Sequence, residues 1–198
     1  MEKINIILGT AHDKNTLGKC SPDKSIREWE YSREICTRIK DVLSKKGYNC
    51  IIDILGEDEK SLANRCKIVN NYCTKYGTNN CIYVSVHLNA AGNGQWMNAR
   101  GLSVFVSNNC SSNSKKLATS IYIEGEKLGL KGNRCVPKNK YWTANFYVLT
   151  NTRCPAVLTE NLFQDNKEDV KFLLSEEGKQ AIVDMHVNGI INYINNLE

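Results

Sequence analysis

Short, continuous apolar segments alternate along this chain with segments whose apolar residues recur at helical spacing. Residues 4–8, 81–86 and 156–159 are the clearest continuous runs, and they lack the polar alternation of a half-exposed strand. Strands of this kind are buried on both faces, as they are when helices cover both sides of a parallel sheet. The alternation therefore predicts an α/β sandwich.

The same patterns give approximate element boundaries and indicate no repeat or linker. Residues 1–198 are therefore predicted to form a single domain, a length sufficient to bury a core. Helices are expected over 31–43, 62–73 (opened by Ser61), 115–128 and 176–194. Further strands are expected over 50–55 and 101–106, with a short extended piece over 146–149.

Composition excludes little beyond disorder and membrane insertion. The net charge of +5 suits an anionic wall polymer as well as nucleic acid, so charge does not choose between them. The nine cysteines form no C-x-x-C pair and are odd in number, which favours reduced thiols over a disulfide framework. The first residues resemble no secretion signal, and no apolar run reaches the ~18 residues of a membrane span. Synthesis in the cytoplasm, without membrane insertion, is expected.

Three ionisable side chains follow the predicted buried strands. His12 follows the first strand, His87 follows CIYVSV, and Glu160 follows AVLT. Ligands of open α/β sheets bind beyond the carboxyl ends of strands, so these three residues are candidates for one site. The alternative for each histidine is an ordinary hydrogen-bonded residue at a strand end. The third histidine, His186, lies in the last helix on a largely polar stretch and is expected to be exposed.

Glu28 has two interpretations. With Ser25 it matches the S-x-x-E capping box, in which the glutamate bonds a backbone N–H at a helix start. It also precedes Tyr31 by three residues and Ile35 by seven, which places it on the inward stripe of the helix. From the residues alone, both capping and metal ligation stay open.

Zinc suits such a ligand set. Two imidazoles and one carboxylate leave the fourth tetrahedral position for water, as in hydrolytic zinc sites. Zinc can polarise a carbonyl and activate water near neutral pH. Glu160 could then move the proton from water to a leaving nitrogen.

At these positions the sequence resembles the N-acetylmuramoyl-L-alanine amidase family of the amidase-3 type. The resemblance covers nearly the whole chain. It is carried by the helix REWEYSREICTRIKDVLSKKGY with Glu28 rather than Glu30 at the family position, by SVHLNAAGNG, by ANFYVLTNT and by CPAVLTENLFQDNKEDV. Together and in this order, these segments are highly specific.

The resemblance implies a three-layer α/β/α sandwich around a twisted, mostly parallel sheet. It implies that His12, Glu28 and His87 bind Zn²⁺ and that Glu160 is the catalytic glutamate. The bond cut would join the lactyl group of N-acetylmuramic acid to L-alanine. Peptidoglycan is the expected partner, with no nucleic acid. A monomer similar to phage lysins, reaching the wall with the help of a holin-type partner, is expected.

One segment departs from the family. Members commonly have a G-H-G-G-type motif after the first strand, whereas this chain reads GTAHDKNTLGK. The histidine is kept, but Ala11 precedes it and Asp13 follows it. The loop around the ligand is therefore expected to differ.

Asn89, Arg100 and Asn145 are weaker candidates, assigned to substrate binding. Asn89 closely follows His87, although a turn-forming asparagine is an equal alternative. Arg100 lies with Trp96 in a loop beside the expected site, and Asn145 is suggested by the family comparison. The run 138–142 is expected to be a solvated surface rather than a polymer-binding one.

Two other functions stay open, a zinc peptidase for wall cross-links and a catalytically silent wall-binding domain.

Overall fold

The computed structural model describes residues 4–57, 61–92 and 94–197. The strands in these ranges are β1 (Asn5–Thr10), β2 (Asn49–Ile52), β3 (Cys81–Asn89), β4 (Ser103–Val106), β5 (Trp142–Thr143) and β6 (Ala156–Phe163). The helices are α1 (Glu28–Lys45), α2 (Leu62–Tyr76), α3 (Ser112–Lys127), α4 (Tyr147–Thr150), α5 (Lys167–Leu174) and α6 (Glu176–Asn195).

The strands form one six-stranded sheet in the order β2-β1-β3-β6-β4-β5. β1 is parallel to β2 and β3, and β3 is parallel to β6. β4 is antiparallel to β6 and parallel to β5. The sheet is therefore mostly parallel, and the carboxyl ends of β1, β3 and β6 meet at one edge, where ligands of such sheets bind.

Helices cover both faces of this sheet. In β1, Ile6 and Leu8 belong to the larger apolar core with α1, α3, α5 and α6, whereas Ile7 belongs to a smaller core with α2 and α4. Successive side chains of a strand point to opposite faces, so each strand contributes to both cores. The expected three-layer α/β/α arrangement is confirmed.

The helix ends largely follow the capping residues in the sequence. Ser61 caps α2, and its hydroxyl accepts a hydrogen bond from the Asn64 N–H at 3.1 Å. Gly47 follows α1 with a φ of 84°, in the left-handed region that glycine adopts without strain. These two ends agree with the signals read from the sequence.

Three segments differ from expectation. Residues 146–149 were expected to be extended, but Tyr147–Thr150 is a short helix that buries Val148 and Leu149. Such a short apolar run fits either conformation, so its pattern alone does not decide. The strand expected over 50–55 ends at Ile52, and α5 was not predicted.

The expectations about cysteines and membrane spans concern the whole chain. All nine cysteines have free thiols. None of the described helices combines the length and apolar character needed to cross a bilayer.

The prediction that His186 is exposed is wrong, because this side chain is completely buried. In α6 it follows Ile182 by one turn and precedes Ile190 by one turn, so it lies on the inward stripe of the helix. Nδ1 lies 2.7 Å from the Ile182 carbonyl, and Nε2 lies 2.9 Å from the Thr159 hydroxyl. Because a carbonyl only accepts, Nδ1 carries the hydrogen of a neutral imidazole.

Burial of this imidazole makes stability depend on pH. Burial lowers the pKa of His186 to about 4, and the hydrogen bond to Ile182 opposes that shift only in part. The unfolded chain binds the proton first, with a pKa of roughly 6.5. The stabilisation is therefore complete above that pH and is lost as the pH falls towards 4.

We expect this group to remove about 3 kcal/mol from the free energy of unfolding between pH 7 and pH 4. Urea unfolding of the wild-type protein and of His186→Gln at both pH values measures the effect. The variant lacks the titrating group, so its loss of stability should be smaller by about that amount. An equal pH dependence in both proteins would contradict the assignment.

Candidate metal centre and active site

The strand-end side chains predicted to form one site do meet at the sheet edge. His12 follows β1, and β3 pairs His87 directly with Glu160 of β6. The rings of His12 and His87 are edge to face, with their centroids 5.4 Å apart. The parallel register thus brings three residues together that are far apart in sequence.

Glu28 completes this group from the first position of α1. The residue at the cap position is Arg27, and no side-chain hydrogen bond caps the helix. Ser25 instead bonds Asp23. The capping-box interpretation is therefore wrong, because the Glu28 side chain points into the sheet edge and is buried, while Glu30 is exposed.

One carboxylate oxygen of Glu28 contacts both histidines. Oε1 lies 3.1 Å from His87 Nδ1 and 3.5 Å from His12 Nε2. It also accepts a hydrogen bond from the Leu88 N–H at 3.2 Å. The other oxygen, Oε2, is buried without a hydrogen-bond partner among the residues that the structure describes.

This arrangement fits a small divalent cation. Ligand atoms of His12, Glu28 and His87 all lie within 4.8 Å of one another. On its far side His87 offers Nε2 to the Ser85 hydroxyl at 3.0 Å, which leaves Nδ1 to face Glu28. A hydrogen bond at one imidazole nitrogen orients the other towards a metal. The unpartnered Glu28 Oε2 is a further donor, and nitrogen and carboxylate ligands suit Zn²⁺.

The protonation states of two candidate ligands also favour a cation. Burial raises the pKa of Glu28, but hydrogen bonds and charge from His12 and His87 outweigh it and lower the pKa to about 2. Burial lowers the pKa of His87, although Glu28 opposes the shift. A carboxylate and a neutral imidazole are the protonation states that bind metal.

Glu160 has the opposite electrostatic environment. Burial raises its pKa well above the ordinary value, the negative charge of Glu28 adds to this effect, and the charge of Lys19 acts against it. Its Oε2 is buried and has no partner among the described residues. A carboxyl group whose pKa is raised in this way is suited to carry a proton.

The loop that carries His12 is held by hydrogen bonds to side chains of α1. His12 has a φ of 42°, in the left-handed region that residues other than glycine seldom adopt. Arg33 of α1 donates hydrogen bonds to the Ala11 carbonyl at 2.9 Å and the His12 carbonyl at 3.0 Å. Ser32 accepts from the Ala11 N–H at 2.8 Å and donates to the Val86 carbonyl at 2.7 Å. The loop is thereby tied to α1 and β3.

A buried ion pair also contacts the loop that carries His12. Arg65 of α2 lies 3.0 Å from both oxygens of Asp53, and both side chains are almost completely buried. Arg65 also donates to the His12 carbonyl at 3.3 Å. Asp53 accepts further hydrogen bonds from the Thr10 N–H and the Tyr83 hydroxyl, each at 3.0 Å.

Sequence reasoning missed this group of supporting residues. An acidic residue inside an otherwise apolar predicted strand, as Asp53 is in 50–55, was the available signal. A single arginine in the following helix gave no sign that it would be its partner.

The candidate ligands open onto a cavity of about 250 Å³. Lys19 and an apolar rim, which includes Leu62, Phe146 and Tyr147, line it together with His12, His87 and Glu160.

The three predicted substrate-binding residues lie outside the lining of this cavity. Asn89 ends β3, and its side chain accepts from the Ala90 N–H at 2.8 Å. Arg100 pairs with Asp169 at 3.1 Å beside another cavity. Asn145 is exposed and accepts from the Asn108 N–H at 3.2 Å. Their roles stay predictions.

A cluster of two histidines and a glutamate, with a second glutamate beside it at the edge of a parallel sheet, is typical of hydrolytic metal centres. The chain belongs to the N-acetylmuramoyl-L-alanine amidase family, whose model matches residues 6–192. The amidase-3-type resemblance seen in the sequence is therefore confirmed.

Two characterised relatives match parts of the chain. The endolysin of Bacillus phage SPP1 is 33% identical over 117 residues, which is 58% of this chain and 40% of the relative. The N-acetylmuramoyl-L-alanine amidase CwlM of Bacillus licheniformis is 47% identical over 53 residues, 27% of this chain and 21% of the relative. The matches thus span less than half the length of each relative.

Solved structures match the fold over its whole length. An N-acetylmuramoyl-L-alanine amidase from Clostridium difficile 630 aligns with a TM-score of 0.86 at 22% identity, covering 100% of both chains. The catalytic domain of CwlV from Bacillus (Paenibacillus) polymyxa aligns with a TM-score of 0.81 at 19% identity, covering 97% of this chain and 98% of the other. At these identities the likeness establishes the fold.

Breaking the buried ion pair should destabilise the protein strongly. Arg65→Met leaves the Asp53 carboxylate buried without its cation, which is expected to cost roughly 3–5 kcal/mol in unfolding free energy. Chemical denaturation of the two proteins measures the difference. The double variant Asp53→Asn/Arg65→Met removes both charges and should recover part of the loss. A single variant as stable as the wild type would show that the pair does not support the fold.

Proposed function

We propose that this protein is a zinc-dependent amidase that hydrolyses the bond between the lactyl group of N-acetylmuramic acid and L-alanine in bacterial peptidoglycan. The observation that carries this proposal is the convergence of His12, Glu28 and His87 beside Glu160, in a chain of this amidase family. Peptidoglycan, rather than nucleic acid or a membrane, is the proposed partner.

His12, Glu28 and His87 would hold the zinc ion. When bound, zinc polarises a substrate carbonyl and lowers the pKa of water. The protein contributes a carboxylate kept ionised and an imidazole kept neutral at this position. It also fixes the His12 backbone through Arg33 and Arg65. These contacts favour a site whose ligands are already in place before the ion arrives.

Glu160 is the proposed proton carrier. Its carboxylate would accept a proton from the attacking water as the carbon–oxygen bond forms. The resulting carboxylic acid would deliver that proton to the L-alanine nitrogen as the carbon–nitrogen bond breaks. A group that performs both transfers works best when its pKa lies near the working pH, and the raised pKa of Glu160 has this direction.

The apolar rim of the cavity suits the substrate on either side of that bond. Both the lactyl group and L-alanine carry a methyl group next to the amide. Leu62, Phe146 and Tyr147 are exposed apolar side chains that could cover those methyl groups and exclude water from the reaction.

We further propose that the protein acts as a monomer on the cell wall after release through a holin-type partner. The similarity to a phage endolysin supports this place of action. A second candidate function keeps the metal site and cleaves peptide cross-links instead, and a third is a silent wall-binding domain. The products formed from purified sacculi separate the three.

Metal binding is expected to depend on Glu28 and His87. Glu28→Gln removes the ionised carboxylate, and His87→Ala removes an imidazole, so each variant should bind less than about a tenth of the wild-type zinc at equal free metal. Elemental analysis after dialysis against a buffered zinc solution gives the stoichiometry. Glu30→Gln, an exposed neighbour on the same helix, is the matched control and should retain one zinc per chain. Full zinc content in Glu28→Gln would remove Glu28 from the site.

Turnover is expected to depend on Glu160 while metal content does not. Glu160→Gln keeps the shape of the side chain but cannot carry a proton, so turnover should fall by about 10²–10⁴-fold. Digestion of sacculi, followed by identification of the new ends, measures both rate and bond. Stem peptides that begin with free L-alanine are the expected product. Unchanged turnover in the variant would contradict the proton-transfer role, and new ends only within the peptides would support the peptidase.

A further inference from the structure

One cation in the active-site cavity, Lys19, neither binds the metal nor carries the proton in the proposed chemistry, although its charge acts against the raised pKa of Glu160. Lys19 and Arg65 both line the cavity, but Arg65 is paired with Asp53. Lys19 is half-buried, and no carboxylate of the described part of the chain lies within ion-pair distance of its ammonium group. The ammonium of a lysine is a compact point charge, so a lysine that lines a ligand cavity favours a negatively charged ligand.

The position of Lys19 is fixed relative to the candidate metal centre. Its carbonyl accepts a hydrogen bond from the Glu28 N–H at 3.0 Å, so Lys19 and Glu28 are joined directly. Cys20 forms an isolated bridge with Arg27, and the Ser21 N–H donates to the Ile26 carbonyl at 3.0 Å. This turn holds Lys19 beside Glu28 without any contribution from a ligand.

The substrate of the proposed function offers one anion at a suitable distance. In peptidoglycan the residue after L-alanine is D-glutamate, linked through its side chain, and its α-carboxyl group is either free or amidated. This group lies two residues from the scissile bond, no more than about 7 Å along the chain. A ligand whose amide reaches Glu160 therefore has its first carboxylate within about 7 Å of that amide.

We propose that Lys19 binds the free α-carboxylate of this D-glutamate and makes the enzyme select stems that are not amidated there. This inference rests on the proposed amidase function. The cavity supports it, since the carboxylate would meet a cation on the Lys19 side while Leu62, Phe146 and Tyr147 cover the apolar groups. An amidated stem would leave the ammonium without its counter-charge, and charged hydrogen bonds are stronger than neutral ones.

The proposal can be tested with two synthetic N-acetylmuramoyl tripeptides. One contains D-glutamate with a free α-carboxylate, and the other contains D-isoglutamine, in which this group is amidated. With the zinc-loaded wild-type protein we expect kcat/KM to be at least about tenfold higher for the free carboxylate, mostly through KM. Lys19→Met should reduce this ratio to about one, because kcat/KM falls more for the carboxylate substrate than for the amidated one. Lys19→Arg keeps a cation and should keep the preference. Lys67→Met, which removes an exposed lysine of α2, is the matched control and should behave as the wild type.

Binding gives a readout that does not need turnover. Calorimetry measures the Kd of both tripeptides for Glu160→Gln and for Glu160→Gln/Lys19→Met. The single variant should bind the free carboxylate about tenfold more tightly, and the double variant should bind both tripeptides equally. A preference that survives Lys19→Met would overturn the proposal. So would an equal fall of kcat/KM for both peptides, because the preference would then be intact and Lys19 would act only through its charge on Glu160. If the wild-type protein cleaves neither peptide, the amidase function fails, and the binding measurement still decides the role of Lys19.

Discussion

The buried pair of Arg65 and Asp53 is the interaction on which the geometry of the site depends. It joins α2 to the end of β2, and its members also bond the Thr10 N–H, the Tyr83 hydroxyl and the His12 carbonyl. A buried ion pair contributes little net stability, because desolvation offsets most of the attraction. Here its consequence is positional, since the Asp53 carboxylate accepts hydrogen bonds from β1 and β3, two strands that lead into the site.

This support explains how the chain manages without the glycine-rich motif common in its family. His12 has a left-handed backbone conformation, which strains a residue with a Cβ by roughly 1–3 kcal/mol. Hydrogen bonds from Arg33 and Arg65 to the loop carbonyls, and from the Ala11 N–H to Ser32, oppose that strain. The unusual GTAH sequence therefore changes how the loop is stabilised and still brings the imidazole to Glu28.

The sequence predicted the parts of the site that follow from strand order. His12, His87 and Glu160 were found because polar residues after buried strands of a parallel sheet converge. Glu28 needed the family resemblance, since its spacing allowed both a cap and an inward carboxylate. Arg33, Arg65 and Asp53 were missed because their bonds join elements distant in sequence, and no local pattern encodes such contacts. The same limit applies to α4 and to the burial of His186, where a short or mixed pattern concealed an inward face.

The two glutamates of the site are chemically alike, and their surroundings give them different properties. Glu28 is held ionised by His12, His87 and the Leu88 N–H, all of which favour the charged form. Glu160 is half-buried, none of the described residues donates a hydrogen bond to its Oε2, and it lies in the field of the negative Glu28, so its proton is held more tightly. Environments that separate two pKa values in this way fit the different roles proposed for the two groups. An ionised Glu28 can bind a cation but cannot donate a proton, whereas Glu160 can carry one. In the metal-free site, the ionisation of Glu28 is thus one cause of the proton affinity of Glu160.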